Sequence, residues 1–247
     1  MFKPLFLLPL CAIALVLTPQ MTKAESFTTE QKTEIEALVK EYILNNGDVV
    51  LEALEKNQIA QQEKQLEAAK KNILDNADYL YNSNSPTIGP ADADVTVVEF
   101  FDYNCGYCKK ALEELQKVLD EDSNIKVIFK EMPILSEGSR EAAKWSLAAN
   151  KQDKYFEYHT ALMNHRGAKN EAAFKKIATD LGLDLAQLEK DKESKDVIAT
   201  IDKNLEMSGK LGIRGTPAFI IGEEFSPGYI PAPQMKAIIS KVRSSDG

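Results

Sequence analysis

A chain of 247 residues with 44% hydrophobic and 28% charged side chains holds enough apolar material for a packed core, and its composition excludes general disorder. The net charge of −8 falls by two, to −10, once residues 1 to 24 are set aside, because that stretch contains Lys3, Lys23 and no acid. Such an acidic chain, without arginine- or lysine-rich patches between aromatics, repels phosphate backbones and leaves nucleic acid out as a partner.

Residues 1 to 24 read as an export signal. Lys3 precedes the apolar run Leu5 to Leu17, and Thr22-Lys23-Ala24 offers a small-x-small cleavage end. The run is short for a membrane span and no later stretch approaches that length, so the expectation is a soluble protein exported to the periplasm with its signal removed. Cys11 follows the bulky Leu10, where a lipoprotein signal wants a small residue, and is expected to leave with the signal.

Residues 25 to 85 are expected to form a helical region. Ile35, Leu38, Val39, Tyr42 and Ile43, then Val50, Leu51 and Leu54, recur at spacings of three and four. Asn45-Asn46-Gly47-Asp48 divides the first helix from a second that resumes at Val49 and passes through Ile59, Leu66 and Ile73. The apolar stripe is too thin to pack on a globular core along its length, and Ile35 to Leu54 bares more apolar surface than a lone helical hairpin tolerates. The expectation is a stalk that self-associates as a dimer or trimer. The turn-rich segment 82 to 94, NSNSPTIGPADAD, marks the boundary to a second domain, residues 86 to 247.

In that domain VTVVEFF (95 to 101) is a nearly continuous apolar run rich in β-branched and aromatic residues, as expected of a strand buried on both faces. The next helix carries Leu112, Leu115 and Leu119 on one side, and IKVIFKEM (125 to 132) is a second strand, so the order is a parallel strand–helix–strand unit. Residues 137 to 210 are helical in pattern and form an insertion. PAFIIGEEF (217 to 225) returns to strand, and PAPQMKAIISKVR closes the chain as a helix. The fold class is therefore α/β, a small mixed sheet with a helical insertion preceded by an α-helical region. A first strand is hard to see unless Thr87-Ile88 supplies it.

Cys105-Gly106-Tyr107-Cys108 lies where strand gives way to helix. A structural zinc site wants four ligands, and beyond this pair the mature chain offers only His159 and His165, six apart and so on different faces of a helix; packing or surface roles suit them better. No metal is assigned, although two thiolates alone suit copper(I), and a copper-binding or interacting surface protein without turnover is the alternative function. A bridge between residues three apart constrains the unfolded chain little, which weakens a purely structural disulfide. Redox exchange fits the context. The first turn of a helix stabilises a Cys105 thiolate as nucleophile and leaving group, while Cys108, deeper, attacks the mixed disulfide and releases the product. Tyr107 carries no positive charge, so a milder oxidant is expected, and its plain role is packing over the pair.

The motifs VVEFFDYNCGYC and GIRGTPAFIIG together resemble the DsbA-like branch of thioredoxin-fold proteins, and the leading helices look like those of ScsC-type members; the likeness covers roughly residues 86 to 243. The resemblance implies a thioredoxin fold with a helical insertion and a protein disulfide oxidoreductase or isomerase. It implies no cofactor beyond a redox-active Cys105–Cys108 disulfide, exported proteins with thiols or disulfides as clients, and a redox partner in the membrane. It makes Cys105 the attacking and Cys108 the resolving cysteine. Thr216-Pro217 becomes a cis-proline loop facing them and pairing with an extended substrate. Glu99 becomes a buried acid that relays the proton of Cys108. The plainer alternatives are a strand-entry turn for Thr216-Pro217 and an edge-strand surface position for Glu99. Gly106-Tyr107 differs from the Pro-His of the strongest oxidants and leaves the direction of exchange open.

Overall fold

A computed structural model of the chain describes residues 27–82 and 84–245. The export signal expected at residues 1 to 24 lies outside them. The described residues separate into two compact units, divided between Gln58 and Ile59.

The first unit is helical. α1 (Thr29–Asn45) starts at a capping box in which Thr28 Oγ1 accepts the Gln31 N–H at 3.3 Å and Gln31 Oε1 accepts the Thr28 N–H at 2.9 Å. It stops where Asn46 turns its side-chain amide back to the Tyr42 carbonyl at 2.8 Å. α2 (Gly47–Asp75) follows at once, so the break read at Asn45 to Asp48 is one residue wide. No residue between 27 and 58 is buried.

In the second unit, a five-stranded sheet runs in the order β1-β3-β2-β4-β5. β2 (Val95–Phe101) and β3 (Ile125–Glu131) pair in parallel, joined by α4 (Gly106–Glu121), while β1 (Thr87–Ile88), β4 (Ala218–Ile221) and β5 (Glu224–Ser226) run antiparallel to their neighbours. Thr87-Ile88 does supply the first strand. Just beyond it Gly89 sits at φ +88°, where a Cβ would come within 2.0 Å of the Ile125 carbonyl oxygen, so only glycine lets the chain pass. The single strand expected from 217 to 225 is instead a hairpin, because Gly222 at φ +57° turns the chain between the paired Ile221 and Glu224.

Strand alternation divides the core in two. Val95, Val97 and Phe101 face one way, onto Ala111, Leu112, Leu115 and Val118 of α4, onto α10 (Ala232–Ser245), and onto the insertion. The insertion comprises α5 (Glu137–Asn150), α6 (Tyr155–Asn164), α7 (Glu171–Asp180), α8 (Leu185–Asp191) and α9 (Lys195–Lys210). Val98 and Phe100 face the other way, and are covered by Ile73 from the end of α2, by Leu80 of α3 (Ala77–Asn82) and by Leu211 and Ile213. The boundary placed at residue 85 from the sequence thus falls inside the second unit. Two sparse apolar residues, Ile73 and Leu80, carry the helical segment into this core. Lys130 of β3, buried on the same side, donates to the Tyr79 carbonyl at 2.8 Å and to Ser85 Oγ at 2.9 Å, with its ammonium 4.1 Å from the Tyr79 ring centroid.

Candidate active site

The parallel pair β2–β3 delivers the chain to the sheet end where α4 begins, and Cys105 is the residue that begins it. With φ −82° and ψ 115° it occupies the N-cap, and its Sγ accepts the Cys108 N–H at 3.4 Å. Unpaired backbone N–H groups of a first helical turn favour negative charge on that sulfur. The same Sγ lies 3.2 Å from the Thr216 carbonyl oxygen, to which a thiol donates. Both cysteines are free thiols, with Cys105 9% exposed and Cys108 fully buried. Burial, followed by the proximity of Glu99, pushes the Cys108 thiol far above its ordinary pKa.

Glu99 is on the central strand, not at an edge, paired laterally with Phe129 and Phe219 and only 1% exposed. Strand alternation puts it on the α4 side, with Val97 and Phe101. Burial raises its pKa to about 8, and its Oε2 has no hydrogen-bond partner. A carboxyl in that condition is mostly protonated at neutrality, and its ionised minority can accept a proton from a neighbouring thiol. Gly106 and Tyr107 open the helix at the surface. A Cβ on Gly106 would meet nothing within 4 Å, and Tyr107 is 61% exposed, leaning on Tyr229 at 6.2 Å between ring centroids with Lys110 Nζ 5.3 Å from its own. Tyr107 therefore packs at the surface against Tyr229. The Thr216–Pro217 peptide bond is cis, and the loop brings its backbone to the Cys105 sulfur. The structure thus gathers Cys105, Cys108, Glu99 and Thr216-Pro217 at one end of the sheet.

Sequence reasoning missed the carboxylate that ties this end together. Asp102, 1% exposed, takes the N–H groups of Ile134 and Leu135 on Oδ2 at 2.9 Å each, and the Asn104 N–H and Ser139 hydroxyl on Oδ1 at 2.7 Å each. Its backbone carbonyl accepts the Cys105 N–H at 3.0 Å. An acid directly after a buried strand and three residues before the first cysteine was the available signal. A second buried group lies deeper. Glu131 Oε1 accepts the hydroxyls of Tyr155 at 2.9 Å and Tyr103 at 3.1 Å, and Tyr103 also meets His159 Nδ1 at 3.0 Å. Burial holds His159 neutral, with its pKa down to about 3, which gives that histidine a packing role. Among the described residues no cluster of three or more His, Cys, Asp or Glu side chains is placed to hold a metal ion, and no helix is long and apolar enough to cross a membrane.

A five-stranded mixed sheet with a cysteine pair at a helix start and a cis-proline loop against it defines a thioredoxin-like protein. Comparison places it more closely. Residues 96–240 match the DSBA-like thioredoxin domain, and the chain belongs to that family. A thioredoxin-like oxidoreductase from Silicibacter pomeroyi is 42% identical, with a TM-score of 0.66 over 68% of this chain and 97% of that one. A linker-deleted mutant of ScsC from Proteus mirabilis is 29% identical, with a TM-score of 0.69 over 90% of this chain and all (100%) of the other. Among curated relatives, disulfide bond formation protein D of Bacillus subtilis is 26% identical over 63% of this chain and 76% of its own length. A sodium/proton antiporter of Salinispora arenicola is 28% identical over 54% of this chain, and the chain spans only 21% of that relative.

Proposed function

We propose that the protein is a periplasmic thiol–disulfide oxidoreductase acting on exported proteins. The observation that carries this reading is the Cys105 sulfur, capped by the Cys108 N–H and lying against the Thr216 carbonyl at the mouth of a loop able to pair with an extended chain. In the reducing direction the Cys105 thiolate attacks a client disulfide. That S–S bond breaks, a Cys105–client bond forms, and one client thiolate leaves. Glu99, in its ionised form, takes the Cys108 proton; the Cys108 thiolate then attacks the Cys105 sulfur, closing the Cys105–Cys108 disulfide and freeing the second client sulfur, which leaves as thiol after protonation. The reverse sequence oxidises two client thiols, and a membrane redox partner resets the pair. The Thr216-Pro217 backbone aligns the client as an added strand.

Self-association through residues 25 to 85 completes the reading. Leu38, Leu44, Leu51 and Leu54 are each at least 60% exposed in the single chain, and a dimer or trimer covers them. Several cysteine pairs on one assembly favour reshuffling of wrong disulfides, so isomerisation is the proposed direction. Scrambled-ribonuclease refolding run beside oxidation of reduced ribonuclease tests it: faster gain of activity in the second assay alone makes the protein an oxidase. Cys108→Ser should trap mixed disulfides with client proteins; loss of bound copper(I) without any trapped client would favour the metal-binding alternative.

A further inference from the structure

Partly buried lysines of the insertion are matched with acids, with one exception. Lys144, Lys175 and Lys192 each lie 2.6 to 2.7 Å from a carboxylate oxygen. Lys169, in the connection between α6 and α7, is also partly buried and forms no ion pair among the described residues. It borders the cysteine loop. Its backbone carbonyl oxygen lies 3.4 Å from where a Cβ on Gly138 would stand, and Asn104 Nδ2, on the residue before Cys105, lies 3.9 Å from the same point. Lys109 borders that loop as well, in the first turn of α4 directly after Cys108, with its N–H on the Cys105 carbonyl at 3.3 Å. It too is partly buried and forms no ion pair among the described residues.

The two ammonium groups act on each other. Burial, and after it the charge of Lys109, lowers the pKa of Lys169, while Asp102 pulls it the opposite way. Asp102 does not serve as the counter-ion, because backbone and hydroxyl donors already occupy both its oxygens. Glu113, one turn along α4 from Lys109, and Glu137, beside Gly138, pair with neither lysine. Like charges drawn partly out of water with no carboxylate to balance them raise the free energy of the protein alone, and an entering carboxylate lowers it again. The chain carries −8 overall, a field that repels acidic partners, and the lysine pair reverses its sign beside the reactive sulfur.

We infer that Lys109 and Lys169 form a carboxylate-binding site beside the exchange centre, one that favours clients with aspartate or glutamate close to the reacting cysteine. The occupant is an extended, unfolded segment, in which such acids are free of partners of their own. Two ammonium groups on separate elements hold one carboxylate by an oxygen each or take two neighbouring acids, and either way the charge is engaged before any sulfur bond changes. The site rests on the exchange reading above and specifies its substrate class. Support of the Cys105 thiolate by the same lysines would be felt by every client alike, whereas a carboxylate site is felt by acidic ones alone.

Single-turnover exchange makes that distinction. The reduced full chain, in excess, is mixed with short capped peptides whose one cysteine is joined by a disulfide to thiopyridine, a chromogenic group without a carboxylate. The Cys105 thiolate attacks the peptide sulfur, the bond to thiopyridine breaks, and thiopyridine leaves with the electron pair and takes a proton; attack by Cys108 on Cys105 then releases the peptide. One peptide has aspartate and glutamate around its cysteine, the other asparagine and glutamine. At low salt the wild type should half-saturate at about fivefold lower concentration with the acidic peptide, at similar maximal rates, and that ratio should fall toward onefold in about 0.5 M salt. Lys109→Gln/Lys169→Gln should bring the ratio toward onefold through the half-saturation point, while Lys109→Arg/Lys169→Arg, which keeps both charges, should retain it. A ratio near onefold in the wild type, or one that survives salt, survives in the glutamine variant or is lost from the arginine variant, overturns the site. So does an equal loss with both peptides, which would assign the lysines to the thiolate. Release from neither peptide overturns exchange as well.

Discussion

The two units use their apolar residues in opposite ways. From Phe27 to Gln58 no side chain is buried, although Ile35, Leu38, Val39 and Tyr42 follow a helical stripe; from Ile59 onward the sheet has a dry core on each face. Local rules alone account for α1 and the start of α2: a capping box, a C-terminal asparagine and good helix formers. They do not account for why the stripe is there. Helices of this length owe most of their stability to packing, which is the contrast that the proposed self-association addresses.

The sharpest break in this contrast is chemical. Cys105→Ser should reduce exchange by a thousandfold or more, read with a chromogenic disulfide, and leave the subunit count from light scattering unchanged. Next comes the resolving step. Glu99→Gln removes the proton acceptor, and release of a preformed Cys105–client disulfide should slow about a hundredfold in stopped flow. Leu80→Ala tests whether α3 belongs to the second core. Its side chain is fully buried, and guanidinium unfolding should report a loss of about 3 kcal/mol.

Glu99 also gives a pH test. Its folded pKa of about 8 stands above the ordinary 4.5, so its protonation supports the fold fully below about pH 4.5, and that support fades as pH rises through 8. Against Glu99→Gln, which has no such proton, the wild type should lose a few kcal/mol between pH 5 and pH 9. Comparing the pair cancels Lys130, whose pKa burial lowers to about 7, and His159. The smallest effect on the single chain belongs to Leu51→Lys, 69% exposed, which should shift second-unit stability by less than about 0.5 kcal/mol. If residues 25 to 85 associate, the same change should lower the subunit count, and an unchanged count would remove the stalk from the proposal.

Legibility in the sequence followed the range of the interactions. β2 and β3 were visible because strands buried on both faces spell themselves as apolar runs, and the redox motif was visible because its parts are three residues apart. Thr87-Ile88 is too short for any period to show. Gly222 was overlooked inside an apolar run, although a positive φ there makes the hairpin. The long-range half of the Asp102 knot could not be read, since Ile134, Leu135 and Ser139 lie 32 to 37 residues away and assemble only when β3 returns beside β2. The burial of Ile73 and Leu80 was hidden for a related reason: they are isolated apolar letters in a polar stretch, and their burial comes from the distant Val98, Phe100 and Ile128.

That docking of α3 bears on how the molecule tolerates shortening. Tyr81 reaches the Gly222 carbonyl at 2.6 Å and Tyr79 meets Asn204, so the segment before Ser85 is fastened to the hairpin turn as well as to the insertion. Cutting at the turn-rich stretch would strip a lid from Val98, Phe100 and Ile220 and leave a greasy sheet face prone to clumping. A fragment meant to stand alone should begin no later than Ile59, upstream of both fastening tyrosines.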